Sequence, residues 1–559
     1  MSGLFATLNT SKSGMFAQQQ YINVTSHNIS NANTEGYSRQ QLILQTARPQ
    51  TIAGGIGQIG TGVSMVAIER TRNQFLDYQI RKEATHQGTY GVRLDYLSQI
   101  EGIFNEPSDT GISELMSEFF DAWQTLAKNP EKSDARTVVA QKAKALADEI
   151  NHTYKKLNDT NANAVSEIQS NIFEVNTILD QLNSINKDII TVTVAGNNPN
   201  DLLDRRDLLL DELSTKFGID TRNQNLNGIT LKPTGYDDVN LIRNKDEQAV
   251  NKLAFVNKIT KNPDGKYTIE YYKNGDTTSE KNKVTLTDVT LTDAQYKSMS
   301  ENRVLVTNED GTVPGAVDGD GSAITSDQIN GMIFNPGTGT IGGLQSIHND
   351  TEGYIDQLNT LAKAIAYGTN AIHSEGYDEE LHFFVNKDGD LDSINAGNLT
   401  INEEILKDVM KIHAGSNKDS GSTDGERALA IANLRDLALN MGKLEDVAYG
   451  YDEFVAEHFG TVNNGDIPKC NTIEGGVKVE AFFKNSINKL GVQAQEAGRI
   501  VKNQSSLISG LIERRLSTSG VALDEEAVNL IQFQHAFSAN AKVISTVNEL
   551  LDVVIGLVR

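Results

Sequence analysis

The chain has 559 residues and a formal net charge of −24 at pH 7, with 74 acidic and 50 basic side chains. This acidic balance disfavours nucleic acids and anionic membranes as partners, because both repel a negatively charged protein. Cys470 is the only cysteine, which excludes an internal disulfide framework and a cysteine-based zinc site. The length allows about three or four domains.

The first part of the chain has the pattern of a helix that packs on several sides. Apolar side chains recur there every seven residues, which predicts a seam against a partner helix. The repeat consists of Leu8, Met15, Ile22 and Ile29, and Leu4 precedes it on the same seam. Lys12 is the only charged side chain before Glu35, and a neutral face suits a helix buried on several sides. An ordinary capped helix is the alternative, whereas the lack of a continuous apolar run disfavours a cleaved signal peptide.

This helix is predicted to end near Asn31. Asn28, Asn31 and Asn33 can bond the last helical carbonyls or adopt the left-handed conformation. Gly36 can adopt a positive φ without steric cost. We therefore expect an extended segment from Tyr37 onward.

Residues 51–68 are rich in glycine and end in the strand-like run 63–68. This pattern predicts a glycine-rich β-hairpin, with a flexible linker as the alternative. The run lacks the lysine-containing pattern of a phosphate-binding loop.

Helical periodicity dominates the next part of the chain. The predicted helices cover residues 70–105, 112–127, 131–195 and 201–217. The third of these stretches contains neither glycine nor proline, but its asparagine-rich run 158–163 is predicted to divide it into two helices.

Composition changes near Gly218. Residues 219–339 are rich in Thr, Asn, Asp and Gly, with short alternating runs at 266–272 and 283–286. Asn274-Gly275 is typical of a tight turn between strands. We predict an inserted β-rich domain here, followed by renewed helical patterning from residue 342.

The closing stretch, residues 519–559, predicts one long amphipathic helix. Apolar side chains fall at seven-residue steps over about five heptads, with further apolar residues three positions on. They are Leu523, Leu530, Phe533, Phe537, Ile544, Val547, Leu551, Val554 and Val558. A single helix buried in a globular domain is the alternative. Asn548, Glu549 and Asp552 interrupt the last apolar run, so a membrane span is not predicted.

These elements predict an α+β multidomain protein. Its N- and C-terminal helices pair as a coiled coil, a long helical-bundle domain adjoins them, and a β-rich outer domain is inserted. The predicted domains are 1–62 with 517–559, then 63–218 with 340–375 and 426–516, then 219–339, and finally an irregular segment, 376–425.

No catalytic, cofactor-binding or metal-binding residues are predicted. None of the nine histidines belongs to an HExxH motif, and no GxSxG motif is present. Residues 386–392 resemble a calcium loop, but the required spacing would place Phe384 first and Asn395 last, where acidic ligands are needed. We interpret this run as a polar turn and the chain as a non-enzyme.

Residues 28–40 resemble the N-terminal signature of the bacterial flagellar axial proteins, a family of rod, hook and hook-associated proteins. The matching residues are Asn28, Asn31, Asn33, Thr34, Gly36, Tyr37, Arg39 and Gln40. Residues 201–207, 396–402 and 520–526 are similar to stretches of the hook-associated members. The likeness does not include residues 219–339.

Two residues depart from the family pattern. Phe537 stands where the family often has tyrosine, which removes a hydroxyl but keeps the ring. Arg206 stands where an uncharged glutamine is common, which puts in doubt any neighbour contact there.

The resemblance implies a structural adaptor that forms a ring at the hook–filament junction. It implies that the two seams, from Leu4 to Ile29 and from Leu523 to Val558, form subunit interfaces in an inner tube wall. Implied partners are other copies of the chain, the hook protein, the second hook–filament junction protein and an export chaperone that binds the C-terminal helix. It also implies unfolded export through the flagellar type III channel to the cell exterior, without a cleaved signal.

Other functions remain open at this stage. The chain fits a flagellin or a hook or rod subunit, although residues 36–40 argue against a flagellin. A secreted adhesin that acts through residues 219–339 belongs to a different class. Binding by that isolated segment would distinguish it.

Overall fold

The computed structural model describes residues 2–558 except 52–56, 246, 316–323, 378–380, 392, 447–448, 461–466 and 472, and it leaves out the side chains of residues 2, 326, 557 and 558. The chain forms two compact units. The first contains Met1–Thr89, Ser170–Gly342 and Lys502–Arg559. The second contains Tyr90–Gln169 and Gly343–Val501. Both units are thus assembled from segments that are far apart in the sequence.

Helices make up most of the described chain. They are α1 (Ser2–Ser30), α2 (Gln74–Phe104), α3 (Ile112–Lys128), α4 (Ser133–Val194), α5 (Asn200–Lys216), α6 (Asp293–Asn302), α7 (Ser326–Met332), α8 (Gly339–Ser374), α9 (Glu403–Lys407), α10 (Glu426–Ala432), α11 (Met441–Leu444), α12 (Tyr451–His458), α13 (Val479–Ser519) and α14 (Leu523–Val558). The strands are β1 (Gln40–Thr46), β2 (Gln50–Thr51), β3 (Gln58–Ile59), β4 (Val63–Arg70), β5 (Ile219–Asn223), β6 (Ile229–Pro233), β7 (Asn251–Lys261), β8 (Tyr267–Tyr272), β9 (Lys283–Val289), β10 (Val304–Asn308), β11 (Phe384–Val385), β12 (Thr400–Ile401), β13 (Ala438–Leu439) and β14 (Val477–Lys478). The predicted α+β multidomain class is confirmed, with α1 packed along α14.

The asparagine-rich run 158–163 does not divide the third predicted helix. α4 continues through it for 62 residues, so that prediction is wrong. The Asn158 amide donates to the carbonyl of Tyr154 one turn earlier, which satisfies the side chain without interrupting the helix. Leu157 and Ala164 are buried on the inner face, so tertiary packing outweighs the modest helix propensity of asparagine.

The glycine-rich run forms a different hairpin from the one predicted. The strand expected at residues 63–68 is β4, but it pairs antiparallel with β1, from Gln40 opposite Arg70 to Thr46 opposite Val63. β2 and β3 form a short hairpin between them, and residues 52–56 lie outside the described chain. β1 is the extended segment expected after Tyr37.

The predicted strands of the β-rich region are present in the first unit. β7, β8, β9 and β10 form an antiparallel sheet in the order β10-β7-β8-β9. Every second residue of β8 is buried in the core, as in a strand with one buried face. These residues are Tyr267, Ile269 and Tyr271. Asn274 and Gly275 both have positive φ, which confirms the predicted turn. β5 and β6 form a separate hairpin.

The core of the second unit holds a buried aromatic and histidine cluster. The Trp123 ring lies 6.4 Å from His373 and 5.3 Å from Phe383. The His373 ring stacks on His413 at 4.5 Å, and its Nε2 accepts a hydrogen bond from the His413 backbone N–H. That bond requires an unprotonated Nε2, so the folded unit needs a neutral His373.

Burial lowers the pKa of both histidines, and positive groups act in the same direction. For His373 these groups are His413, Arg427 and His382. For His413, burial followed by Arg427 and Arg136 lowers the pKa to about 4, against a bond to His373 that raises it. The Arg427 guanidinium donates to backbone carbonyls around the cluster, so its charge persists beside both rings.

We expect the second unit to lose stability as the pH falls from 6.5 to about 4. In this range the unfolded chain protonates His413 at its ordinary pKa of 6.5, whereas the folded chain does so only near 4. The free energy of unfolding should therefore decrease by about 3 kcal/mol over this range. Trp123, the only tryptophan, reports the transition by fluorescence in urea titrations. His413→Gln should make the profile shallower, with the contribution of His373 remaining, and the exposed control His152→Gln should leave the profile unchanged. A flat wild-type profile would contradict this prediction.

Candidate functional site: the paired terminal helices and their anchor

The terminal helices pair antiparallel with a repeat of seven residues. Gly14 lies against Asn540, the Tyr21 ring stacks on Phe533 with centroids 4.5 Å apart, and the Asn28 amide donates to Glu526 Oε2 at 3.2 Å. A step of seven along α1 thus corresponds to a step of seven backwards along α14. A Cβ at Gly14 would lie 3.1 Å from the Asn540 side chain, so glycine permits the close approach there.

The predicted seam of α1 lies beside these contacts. Leu4, Leu8, Met15, Ile22 and Ile29 are half-buried, while the fully buried side chains of α1 include Ala17, Val24 and Asn28. The contact set at 14, 21 and 28 precedes the predicted set 15, 22 and 29 by one residue. Sequence reasoning missed it because Gly, Tyr and Asn do not form an apolar stripe, although their seven-residue spacing was visible.

Only part of the predicted seam of α14 is buried in the structure. Val547 is buried with 4% exposure, whereas Leu523 is 49% exposed. The half-buried members are Leu530, Phe533, Phe537, Ile544, Leu551 and Val554. The side chain of Val558 lies outside the described residues. Phe533 and Val547 thus lie on the face towards α1.

Asn28 organises the turn that follows α1. Its side-chain oxygen accepts from the Tyr37 hydroxyl at 2.8 Å and the Gln40 backbone N–H at 3.0 Å. Its side-chain NH₂ donates to the Gln40 carbonyl and to Glu526. All the bonding capacity of this buried amide is therefore used to join α1, β1 and α14. Burial, followed by Asp201, Asp204 and Glu526, raises the pKa of Tyr37, which keeps its hydroxyl protonated as a donor.

Three other motif residues, Asn31, Thr34 and Gly36, stabilise the same turn. The Asn31 amide donates to the carbonyl of His27, and the Thr34 hydroxyl donates to Asn31. Gly36 has a φ of 77°, and a Cβ there would lie 3.3 Å from Leu208. Asn33 is exposed.

Arg39 and Gln40 extend these contacts to other elements. The Arg39 backbone N–H donates to the Ser519 carbonyl, and the Arg39 side chain bonds to Glu525. The Gln40 side chain donates to Asp201 at 2.7 Å. These residues therefore connect the turn to α5 and to the junction of α13 with α14.

A buried network of arginines and aspartates anchors this turn to α5. Asp204 accepts from the Ser38 backbone N–H at 2.9 Å, the Ser38 hydroxyl at 2.8 Å and Arg70 at 2.7 Å. Asp207 forms ion pairs with Arg70 at 2.7 Å and with Arg81 at 3.2 Å. The sequence similarities at residues 28–40 and 201–207 thus meet at one site.

The network continues to α2 and α13. Arg72 pairs with Asp77, and Arg81 pairs with Asp211 at 2.7 Å. Arg515 of α13 reaches Asp211 at 2.6 Å. Sequence reasoning missed this network because its members are spread over nearly 450 positions, and only the charged run in α5 gave a signal.

Charge compensation keeps Asp207 ionised despite its burial. Burial alone would raise the pKa of Asp207, but Arg72, Arg70 and Arg81 together lower it to about 2. Removal of one member leaves a buried charge without compensation, which typically costs about 3–5 kcal/mol.

The described residues contain no arrangement suited to metal chemistry. No group of three or more His, Cys, Asp and Glu side chains is placed to hold a metal ion there. In the calcium-like run, Asn386 accepts from the backbone N–H groups of Asp388 and Asp390, which is a polar turn, and Asp392 lies outside the described chain. Across the same described part of the chain, every helix falls short of the length and apolarity that a bilayer span requires.

Comparison with known families first identifies the class of protein. Residues 8–37 match the model of the flagella basal body rod protein, and residues 513–557 match that of the flagellar basal body rod FlgEFG protein C-terminal region. These matches coincide with α1 and its turn at one end, and with the end of α13 and most of α14 at the other. The paired ends are therefore similar to those of the flagellar axial proteins of the rod.

More specific matches cover the rest of the chain. Residues 97–292 match the flagellar hook-associated protein FlgK helical domain. Flagellar hook-associated protein 1 of Bacillus subtilis is 29% identical over 100% of this chain and 99% of its own length. The proteins of that name from Salmonella typhimurium and Escherichia coli are each 24% identical over 98% of this chain and 99% of theirs.

A solved structure supports the fold. The flagellar hook junction protein FlgK from Burkholderia pseudomallei aligns with a TM-score of 0.51 and 12% sequence identity. The alignment covers 79% of this chain and 100% of that one.

These matches identify a structural subunit of the flagellar hook–filament junction that is similar along its length to flagellar hook-associated protein 1. The flagellin, rod and adhesin alternatives are not favoured by these matches. The likeness also extends further than the sequence motifs indicated, because the helical-domain match continues into the β-rich region as far as residue 292.

We expect Asp204→Asn to loosen the turn after α1. The substitution removes a buried negative charge from Arg70 and weakens the acceptor for Ser38, so local opening should become easier by about 3 kcal/mol. Native-state hydrogen exchange at the Ser38 amide measures this directly. Glu212→Gln, an exposed change on the same helix, is the matched control and should have an effect within about 0.5 kcal/mol. Equal protection in both variants would contradict the anchoring role.

Proposed function

We propose that copies of this chain assemble into a ring at the hook–filament junction through the paired terminal helices. The observation that carries this proposal is the set of apolar side chains that the pair leaves exposed on α14. This outer apolar face consists of Val528, Ile531, Val543, Leu550 and Val553, all at least 41% exposed. Phe5 and Phe16 of α1 are also about half exposed. Clustered exposed apolar side chains on a soluble protein usually mark an interaction surface.

The free energy of association favours contacts with several neighbouring copies of the chain rather than with one. Burying the exposed half of one such side chain contributes roughly 1 kcal/mol. Association costs about 4–15 kcal/mol in lost freedom, so a single contact across this face is weak. A closed ring, in which every copy is held on two sides, makes these small contributions cooperative.

The residues predicted as subunit interfaces fit this arrangement in two groups. Members that face the partner helix, such as Phe533 and Val547, support pairing within the chain. Leu523 and the exposed parts of Leu530, Phe537 and Ile544 extend the surface offered to neighbours. We propose both groups as the assembly surface, with pairing as its precondition.

The proposed partners follow from the same surface. The hook protein and the second hook–filament junction protein would contact the ring from opposite sides. An export chaperone would cover the apolar face of α14 before assembly, because such a face otherwise promotes aggregation. Export in an unfolded state through the flagellar type III channel to the cell exterior is compatible with a chain whose single cysteine allows no internal disulfide.

We expect Ile531→Asp to block ring assembly without unfolding the chain. Ile531 is 54% exposed, so an aspartate is tolerated in the free chain, but a charge becomes costly once a neighbour covers it. Incorporation into flagella, measured by immunoblot of purified hook–filament structures, should fall at least about tenfold.

Gln534→Asp is the matched control for this experiment. It adds the same charge at an exposed polar position of the same helix, outside the seven-residue steps of the outer apolar face, and should assemble normally. Circular dichroism of both variants should match the wild type. Normal incorporation of Ile531→Asp would exclude the outer apolar face from assembly.

We expect cells that make only residues 1–520 to carry bare hooks and release flagellin into the medium. This version lacks α14, so it loses both the helix pair and the outer apolar face. Electron microscopy of the cells and a flagellin assay of the medium provide the readouts. Missing hooks would assign the protein to an earlier step, and normal filaments would refute the role of α14.

A further inference from the structure

A polar cleft of about 420 Å³ opens in the first unit beside the N-terminus of α5. Side-chain amides form most of its wall, namely those of Gln74, Asn198, Asn200, Asn223, Gln224 and Asn227. Its charged wall residues are Glu69, Arg70 and Arg206. Amides both donate and accept hydrogen bonds, so this wall suits a polar ligand with few apolar groups.

Arg206 is the unusual member of this wall. It is 5% exposed, and its Nη1 donates to Asn186 Oδ1 at 3.2 Å and to the Asn227 carbonyl at 2.6 Å. Its buried Nε has no hydrogen-bond partner in the described chain. Within the same described residues no carboxylate lies within ion-pair distance of this guanidinium, which is rare for a buried arginine.

The adjacent network explains why Arg206 lacks a carboxylate. The four aspartates, Asp77, Asp204, Asp207 and Asp211, are each paired with at least one of Arg70, Arg72, Arg81 and Arg515. Arg206 is thus a fifth arginine beside four aspartates. Burial lowers the pKa of Arg206 to about 10, Asp207 opposes this effect, and Arg70 and Arg81 add to it. Arg206 is therefore the arginine beside the cleft whose charge no ion pair with these four aspartates balances.

The helix terminus adds to this charge. Asn198 and Asn200 place the first turn of α5 on the cleft wall, and Pro199 supplies no side-chain cap to the backbone N–H groups there. An uncapped helix N-terminus favours a negative ligand. Exposed Glu69 of β4 also lines the cleft and opposes the binding of an anion there.

We propose that this cleft binds a carboxylate group, which pairs with the Arg206 guanidinium while the wall amides bind the chain that carries it. The planar guanidinium matches the two oxygens of a carboxylate. The carboxylate belongs either to a free dicarboxylate or to an acidic side chain of another copy of this protein.

The opposing hypothesis is that Arg206 only supports the β5–β6 hairpin tip through the Asn227 carbonyl. In that case the cleft has no ligand, and a glutamine at this position, which keeps an N–H donor, alters hairpin stability alone. The two hypotheses differ in whether the wild-type protein binds a carboxylate.

Calorimetric titration of the full chain with succinate at constant ionic strength tests the proposal. Wild type should show one saturable site, and Arg206→Gln should bind about tenfold more weakly or less. Arg205→Gln removes the same charge from the preceding residue of α5, which is exposed. This variant should bind succinate within about twofold of wild type. Absence of saturable binding up to about 10 mM, or equal binding by both variants, would overturn the proposal.

Two further measurements guard against misfolding and against nonspecific attraction. Glu69→Gln leaves Arg206 intact and removes the opposing charge, so it should tighten succinate binding; unchanged affinity would count against the site. Inorganic phosphate should bind more weakly than succinate, because phosphate has no carbon chain for the amide side chains of the wall to contact. Stronger binding of phosphate would replace the carboxylate proposal with a general anion site.

Self-association identifies the source of the carboxylate. If it comes from another copy, Arg206→Gln and added succinate should both weaken association in sedimentation measurements, and Arg205→Gln should not. If association is unchanged while succinate binds, the free dicarboxylate is the ligand. This comparison rests on the proposed ring assembly, whereas the succinate titration does not, so the failure of one is distinguishable from the failure of the other.

Discussion

The carboxylate of Asp204 is the constraint on which the arrangement of the chain ends depends. It is buried in α5, and it holds Ser38 after α1 and Arg70 at the end of β4. Aspartates and arginines then alternate through α2 to Arg515 of α13, just before α14. A buried charge without a counter-charge is costly, so the loss of one member of this network destabilises the others. The two ends of the chain are thereby fixed to one helix in its middle.

The pairing of the terminal helices depends on polar as well as apolar contacts. Gly14 permits close approach, Tyr21 stacks on Phe533, and buried Asn28 bonds to Glu526. A buried polar pair in a helix interface fixes the register, because any slip leaves its groups without partners. Pairing in one register leaves the apolar side chains elsewhere on α14 exposed, so the same contacts that pair the two helices also define the face proposed for assembly.

Sequence reasoning located the elements with local periodicity and missed what long-range packing decides. The seven-residue repeats predicted α1 and α14, and the alternation at 266–272 predicted β8. The predicted break at 158–163 was wrong because the Asn158 side chain bonds within the helix. The partner of β4 was missed because strand pairing leaves no local signal. Ser38, Arg70, Asp204 and Arg515 are far apart in the sequence, so no spacing rule could join them. The predicted domain boundaries and interface residues stay predictions.

The most direct test of assembly through the outer apolar face is thiol labelling at two positions of α14 before and after assembly. Cysteines would replace Ile531, on the outer apolar face, and Val547, buried against α1, one at a time in a Cys470→Ser chain. In the dilute monomer we predict rapid labelling at position 531 and slow labelling at position 547. In assembled flagella both positions should label slowly. Undiminished labelling at position 531 in the assembly would contradict the claim that this face joins the subunits.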